Sequence, residues 1–225
     1  MAQHFQRRRA IAQSGSINKG KSTLLEANAD IVQQLEMQMR RPVSLSKLVL
    51  QSKFTAKEIK AIYRAFKEAS PNALVQRDLI RDAFVELFPR GDTEHYADLI
   101  FNTFDVDHTG MITFEEFITG MSVLCRGTLN EKIEWTYKMY DPTSTGEISW
   151  ERLFFVITAM DDLIGCRAYP PANRELRVNH TNTVYKRFDP NNTGKITKKQ
   201  FIDVCMVNPE IGDSINFLFT ILPTA

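Results

Sequence analysis

Residues 105–116 read Asp-Val-Asp-His-Thr-Gly-Met-Ile-Thr-Phe-Glu-Glu. The stretch spaces oxygen donors around a central glycine. They are the carboxylates of Asp105 and Asp107, the hydroxyl of Thr109, the backbone carbonyl of Met111, Thr113 acting through water, and both oxygens of Glu116. Calcium is a hard cation that takes about six to eight oxygens, and a twelve-residue loop supplies them from positions 1, 3, 5, 7, 9 and 12. Gly110 stands at position 6, where the sharp turn favours a residue without a Cβ. Ile112 at position 8 is expected in a short strand, and Phe117 begins an apolar helical stripe. Thr109 is the one departure, since Asp or Asn is usual there. Spacing, turn residue and flanking periodicity agree, so one calcium ion is expected here.

Such helix–loop–helix units, EF-hands, work in pairs, and altered copies of the loop recur every 36 to 48 residues. Residues 141–152 read Asp-Pro-Thr-Ser-Thr-Gly-Glu-Ile-Ser-Trp-Glu-Arg, and residues 189–200 read Asp-Pro-Asn-Asn-Thr-Gly-Lys-Ile-Thr-Lys-Lys-Gln. Both keep Asp at position 1, Gly at 6 and Ile at 8, and both lack Glu at 12. A weaker copy at 68–79 keeps only the apolar residue at position 8, Val75. The expected fold is therefore all-α: four EF-hand units in two paired lobes, with short β pairing between loops. In the third loop Arg152 brings a fixed cation to position 12. Asp141 is then the only carboxylate ligand beside Thr143 and Thr145, so that site is expected to be lost. In the fourth, Asp189, Asn191, Thr193 and the Lys195 carbonyl remain with neutral Gln200, which supports very weak binding at most. Thr197 and Gln200 still form a capping-box pattern, so Gln200 is read as kept for the helix rather than the metal. The first loop, with Pro71, Ala73 and Leu79, is expected to bind nothing. The second alone keeps three carboxylates, which places it in the sensor range, roughly 10⁻⁷ to 10⁻⁵ M.

With 225 residues and 43% hydrophobic content, the chain can bury a compact core and still carry an arm. The expected division is a basic arm with an amphipathic helix at 1–48, an N-terminal lobe at 49–127, a C-terminal lobe at 128–208 and an apolar C-terminal helix at 209–225. Residues 1–48 carry a net charge of +5 and the remainder −4. Within the arm, Thr23 and Glu26 form a capping pattern, and Leu24, Leu25, Ile31, Val32, Leu35 and Met39 mark one side. A second start, Phe54-Thr55-Ala56-Lys57-Glu58-Ile59, combines a capping box with a hydrophobic staple. No apolar run reaches membrane-spanning length, and the first residues lack the apolar centre of a signal peptide. Cys125, Cys166 and Cys205, three and widely spaced, read as reduced thiols of a cytoplasmic protein. Gly15-Ser-Ile-Asn-Lys-Gly20-Lys21-Ser22 fits the phosphate-loop pattern, but a polar, basic stretch precedes it where a buried strand is needed, and it is set aside.

Four stretches carry a family resemblance: Gln51 to Glu58, Ile62-Tyr63-Arg64-Ala65-Phe66-Lys67, Phe101-Asn102-Thr103-Phe104-Asp105, and Arg126 to Lys132. They resemble the neuronal calcium sensor family, and within it the Kv channel-interacting proteins, over roughly residues 42 to 219. Pro71 matches that family's inactive first hand. The family's working sites are the third and fourth hands, which are the impaired ones here, and Ala2 stands where its myristoylated members have glycine. The resemblance implies a non-enzymatic regulatory subunit. Its partner would be an amphipathic helix of a membrane channel, the cytosolic N-terminus of an A-type voltage-gated potassium channel, whose trafficking and gating it would change. Association with the plasma membrane would follow through the channel or the basic arm, and assembly with the partner into an oligomer is compatible with it.

EF-hand lobes bind such helices in apolar grooves. The groove residues expected are Phe84, Leu87, Phe88, Phe101, Phe104, Phe117, Met121 and Leu124 in the first lobe, and Trp135, Phe154, Phe155 and Phe201 in the second. The apolar segment 211–222 is expected to cover the second groove or to be displaced by a partner. Two other readings stay open: a regulator of a kinase or phosphatase, and a membrane-surface or nucleic-acid binder using the arm. Nucleic acid is the less expected of the arm's partners. No Ser/His/Asp set, carboxylate pair or cysteine nucleophile has the surroundings that catalysis requires.

Overall fold

In the computed structural model, residues 43–165 and 173–208 are the described part of the chain. The basic arm up to Pro42, Cys166 and the apolar stretch 209–225 lie outside it. The chain divides into two units, Met1–Val43 and Ser44–Ala225, and apart from Val43 every described residue belongs to the second. The expected boundary after residue 48 thus falls inside the first described helix.

Helices dominate. In chain order they are α1 (Leu45–Gln51), α2 (Ala56–Ala69), α3 (Arg77–Leu87), α4 (Glu94–Phe104), α5 (Phe114–Arg126), α6 (Leu129–Tyr140), α7 (Trp150–Ile164), α8 (Arg174–Phe188) and α9 (Lys198–Val207). The loops α2–α3, α4–α5, α6–α7 and α8–α9 are the four loops expected from sequence. Each gives a short strand: β1 (Leu74–Gln76), β2 (Met111–Thr113), β3 (Glu147–Ile148) and β4 (Ile196–Thr197). β1 pairs antiparallel with β2, opposing Val75 to Ile112, and β3 pairs with β4, opposing Ile148 to Ile196. The position-8 residues therefore set the register. All four are buried, which pins it, because a one-residue slip would turn each outward. The result is an all-α EF-hand fold with short strand pairs between loops.

The helix starts follow local chemistry. Thr55–Glu58, Thr113–Glu116, Thr128–Glu131 and Thr197–Gln200 each form a complete capping box. Each box satisfies donors that the first helical turn leaves unpaired. Phe54 and Ile59, the staple pair expected before α2, are both buried.

One core runs through both halves. Phe66, Val75, Phe101, Phe104 and Ile112 from the first half belong to the same cluster as Ile133, Trp135, Val156, Ile196 and Phe201 from the second. α4 is the shared element and packs on α3 and α5 as well as on α6 and α7. Phe104 meets Trp135 edge-on, with ring centres 5.3 Å apart. Gly120 in α5 makes room for that ring, since a Cβ there would stand 2.4 Å from Phe104 Cε1. A helical glycine costs about 1 kcal/mol against alanine, and here it admits a core ring.

Candidate metal centre

The second loop is strung on Asp105, the C-cap of α4, which is buried. Its Oδ1 accepts from the Thr109 N–H at 2.9 Å and its Oδ2 from the Gly110 N–H at 2.8 Å. The Thr109 hydroxyl donates to the Met111 carbonyl at 3.0 Å. His108 and Gly110 lie in the left-handed region, φ 52 and 79, and let the chain reverse. On the far side, Glu116 is the third residue of α5. Its Oε2 accepts from the N–H and hydroxyl of Thr113 at 2.8 and 2.7 Å, while its Oε1 accepts from the Asp107 N–H at 3.2 Å. Glu116 thereby reaches back across the loop to position 3.

The sequence-predicted positions 1, 3, 5, 7, 9 and 12 are thus linked within one loop, and the donors are hard oxygens of the kind calcium takes. Among the described residues no three or more His, Cys, Asp or Glu side chains converge as a ready ligand group. The Asp105 and Glu116 oxygens instead accept backbone and hydroxyl protons. Like-charged carboxylates repel when gathered without a cation, and N–H groups satisfy them at no such cost.

The third and fourth loops repeat this frame. Thr145 and Gly146 N–H groups donate to the two oxygens of Asp141 at 2.8 and 2.7 Å, and Thr193 and Gly194 to those of Asp189 at 2.9 and 2.8 Å. The Thr145 and Thr193 hydroxyls donate to the Glu147 and Lys195 carbonyls. Burial pushes the Asp141 carboxyl up, but the bonds from Thr145, Gly146 and Tyr137 outweigh it and hold its pKa below the usual value. At Asp189 the Thr193 N–H leads the same effect. Thr143 and Asn191, at position 3 of their loops, are exposed. Gln200 takes the Glu116 capping role, accepting from the Thr197 N–H at 2.8 Å.

Arg152, at position 12 of the third loop, is the third residue of α7. Its guanidinium donates to the Met139 carbonyl in the last turn of α6 and lies 5.3 Å above the Phe155 ring. A helix C-terminus carries partial negative charge, so a cation is favoured there. The first loop is built from different bonds, with the Ser70 hydroxyl donating to the Leu74 carbonyl and Lys67 to the Pro71 carbonyl. Ala73 holds the left-handed position 6 at φ 58.

The expected groove residues separate into two groups. Phe101, Phe104, Leu124, Trp135 and Phe201 are buried in the core. Phe84, Phe88, Phe117 and Met121 are half-buried and pack against it, and Phe154 is half-buried. Leu87 and Phe155 are exposed, at 48% and 38%. Among the described residues no helix is long and apolar enough to cross a membrane.

A family model described as EF hand domain matches residues 96–124, which take in most of α4, the second loop and most of α5. With the fold around it, the match supports a calcium-binding EF-hand protein and a regulatory role.

Proposed function

We propose that the chain is a single-site calcium-binding regulator. Its site would be the second loop, with Asp105, Asp107, Thr109, the Met111 carbonyl, Thr113 through water, and Glu116 as ligands. One comparison carries this reading. Three loops share the hydrogen-bond frame around Asp105, Asp141 and Asp189, but only the second adds carboxylates at positions 3 and 12. Within it the chain's own residues do two things. Asp105 and the left-handed turn shape the loop, and Glu116 joins that loop to α5. Calorimetry on the whole chain tests the assignment: one calcium equivalent, abolished by Glu116→Gln and unchanged by Gln200→Ala. Two tight equivalents would overturn it.

The regulated partner on this reading is an amphipathic helix laid against the half-exposed aromatic face that includes Phe84, Leu87 and Phe88. The resemblance to the Kv channel-interacting proteins favours the cytosolic N-terminus of an A-type potassium channel, which would place the protein in the cytoplasm at the plasma membrane. A peptide of that terminus should bind with micromolar or better affinity, and Leu87→Asp should weaken it. No binding with or without calcium would exclude the channel and leave the calcium site standing.

A further inference from the structure

The link between α3 and α4 meets the end of α7 backbone to backbone. A Cβ on Gly91 would stand 2.0 Å from the Leu163 carbonyl oxygen, and one on Gly165 would stand 2.4 Å from the Arg90 carbonyl oxygen. The Asp92 N–H donates to the Asp162 carbonyl at 2.9 Å. Two segments more than sixty residues apart are thus closed on each other by a glycine on each side and one hydrogen bond. Gly165 also ends α7 at φ 61, a conformation that side chains rarely adopt.

This latch sits at one end of α4, and the first carboxylate of the second loop, Asp105, caps the other. Between them α4 spans about 16 Å. Along that length it packs on α6 and α7, with ring contacts of His95 on Phe155 at 5.6 Å and Phe104 on Trp135 at 5.3 Å. Beyond the latch, the Asp162 carboxylate is ion-paired with Arg177 of α8, whose Nε also faces Asp161 at 3.7 Å. The loops of the second half keep one carboxylate each at their ligand side-chain positions, Asp141 and Asp189, and are poor places for a calcium signal to start.

We infer that the Gly91–Gly165 latch couples the calcium loop to the second half, passing the position of α4 to α7 and, through Asp162 and Arg177, to α8. The inference rests on the second loop being the calcium site. A backbone contact has no side-chain rotamer to absorb a shift, and packed elements move as bodies rather than deform. Coupling of this kind needs one element packed on both halves, and α4 is that element.

Amide hydrogen exchange on the whole chain, with and without calcium, tests it, with calorimetry as an independent measure of binding. Calcium should slow exchange at residues 105–116, 158–164 and 174–182, and Glu116→Gln should abolish all three responses. Gly91→Ala should keep the calorimetric calcium equivalent and the response at 105–116. It should reduce the responses at 158–164 and 174–182 by about fivefold or more, a factor at the lower edge of site-to-site couplings. If that variant does not fold, Asp162→Ala leaves the backbone latch intact and should spare 158–164 while reducing 174–182. Coupling is overturned if Gly91→Ala folds and keeps the distal responses, if Asp162→Ala keeps the response at 174–182, or if the parent responds only at 105–116. No heat and no response at 105–116 in the parent would instead sink the site assignment, and the coupling with it.

Discussion

Glu116 holds two roles in one carboxylate, and substitutions separate them. Oε2 closes the capping box with Thr113, while the pair of oxygens is what position 12 offers a cation. Glutamine can keep the cap, as Gln200 does with Thr197 at 2.8 Å. Glu116→Gln should therefore abolish calcium binding in calorimetry while changing calcium-free stability by under about 0.5 kcal/mol. Glu116→Ala also removes the side chain that accepts from the Thr113 N–H, which should cost about 1 kcal/mol in denaturant unfolding. Ala73 makes a second residue-scale case. At φ 58 it holds a left-handed conformation that costs a residue with a Cβ roughly 1–2 kcal/mol. Ala73→Gly removes that cost but loosens the unfolded chain, so a net gain of about 0.5–1 kcal/mol is expected in the same assay.

At the scale of elements, α2 is joined to α5 by Glu58 and Arg126, whose guanidinium also lies 4.7 Å above the Phe54 ring. The Arg126 bond, with those of Thr55, lowers the Glu58 pKa from 4.5 to about 2. A carboxylate lowered on folding stabilises the fold above its ordinary pKa, and that contribution fades as pH falls from about 4.5 to 2. Both partners are well exposed, so salt should weaken the effect. Arg126→Ala should raise the Glu58 midpoint toward 4.5 in a carboxyl NMR titration, and a midpoint still near 2 would assign the shift to the cap alone.

These element-scale features were unevenly legible in the sequence. Capping boxes at Thr55, Thr113 and Thr197 follow from Ser/Thr-x-x-Glu/Gln spacing, and Thr128–Glu131 has the same spacing. The position-8 residues announced the strand register, because burial leaves them one choice of face. Helical periodicity marked an apolar stripe but could not separate the buried Phe104, Leu124 and Phe201 from the exposed Leu87, since both kinds satisfy the same period. Arg152 was legible as a cation at position 12. Its direction was not, because the Met139 carbonyl and Phe155 that hold it are brought together only by folding. The glycines at 91, 120 and 165 were silent for the same reason, since their partners lie far away in the chain or on another helix.

For the molecule as a whole, the shared core governs how calcium should stabilise it. The two halves meet through Phe104 and Trp135 and through α4 on α7, and buried residues of both belong to one cluster among the described residues. Thermal unfolding of the described unit should therefore be one transition, with backbone circular dichroism and tryptophan fluorescence coinciding. The chain has two tryptophans, so Trp150→Phe leaves Trp135 as a reporter of the seam. Binding to the folded state alone at one hundred times Kd adds about 2.7 kcal/mol. For a domain of this size that raises the midpoint by roughly 5–10 °C. Because one core carries both halves, the increase should appear equally at the seam and in the backbone signal, although the carboxylate-rich loop lies in the first half alone. Trp135→Ala should cost about 3–5 kcal/mol. The loss should appear as one earlier transition in both probes, because the rest of the shared cluster and α4 on α7 still join the halves. Two transitions in the parent, or a calcium shift confined to one probe, would mean that the seam does not bind the halves into one cooperative unit.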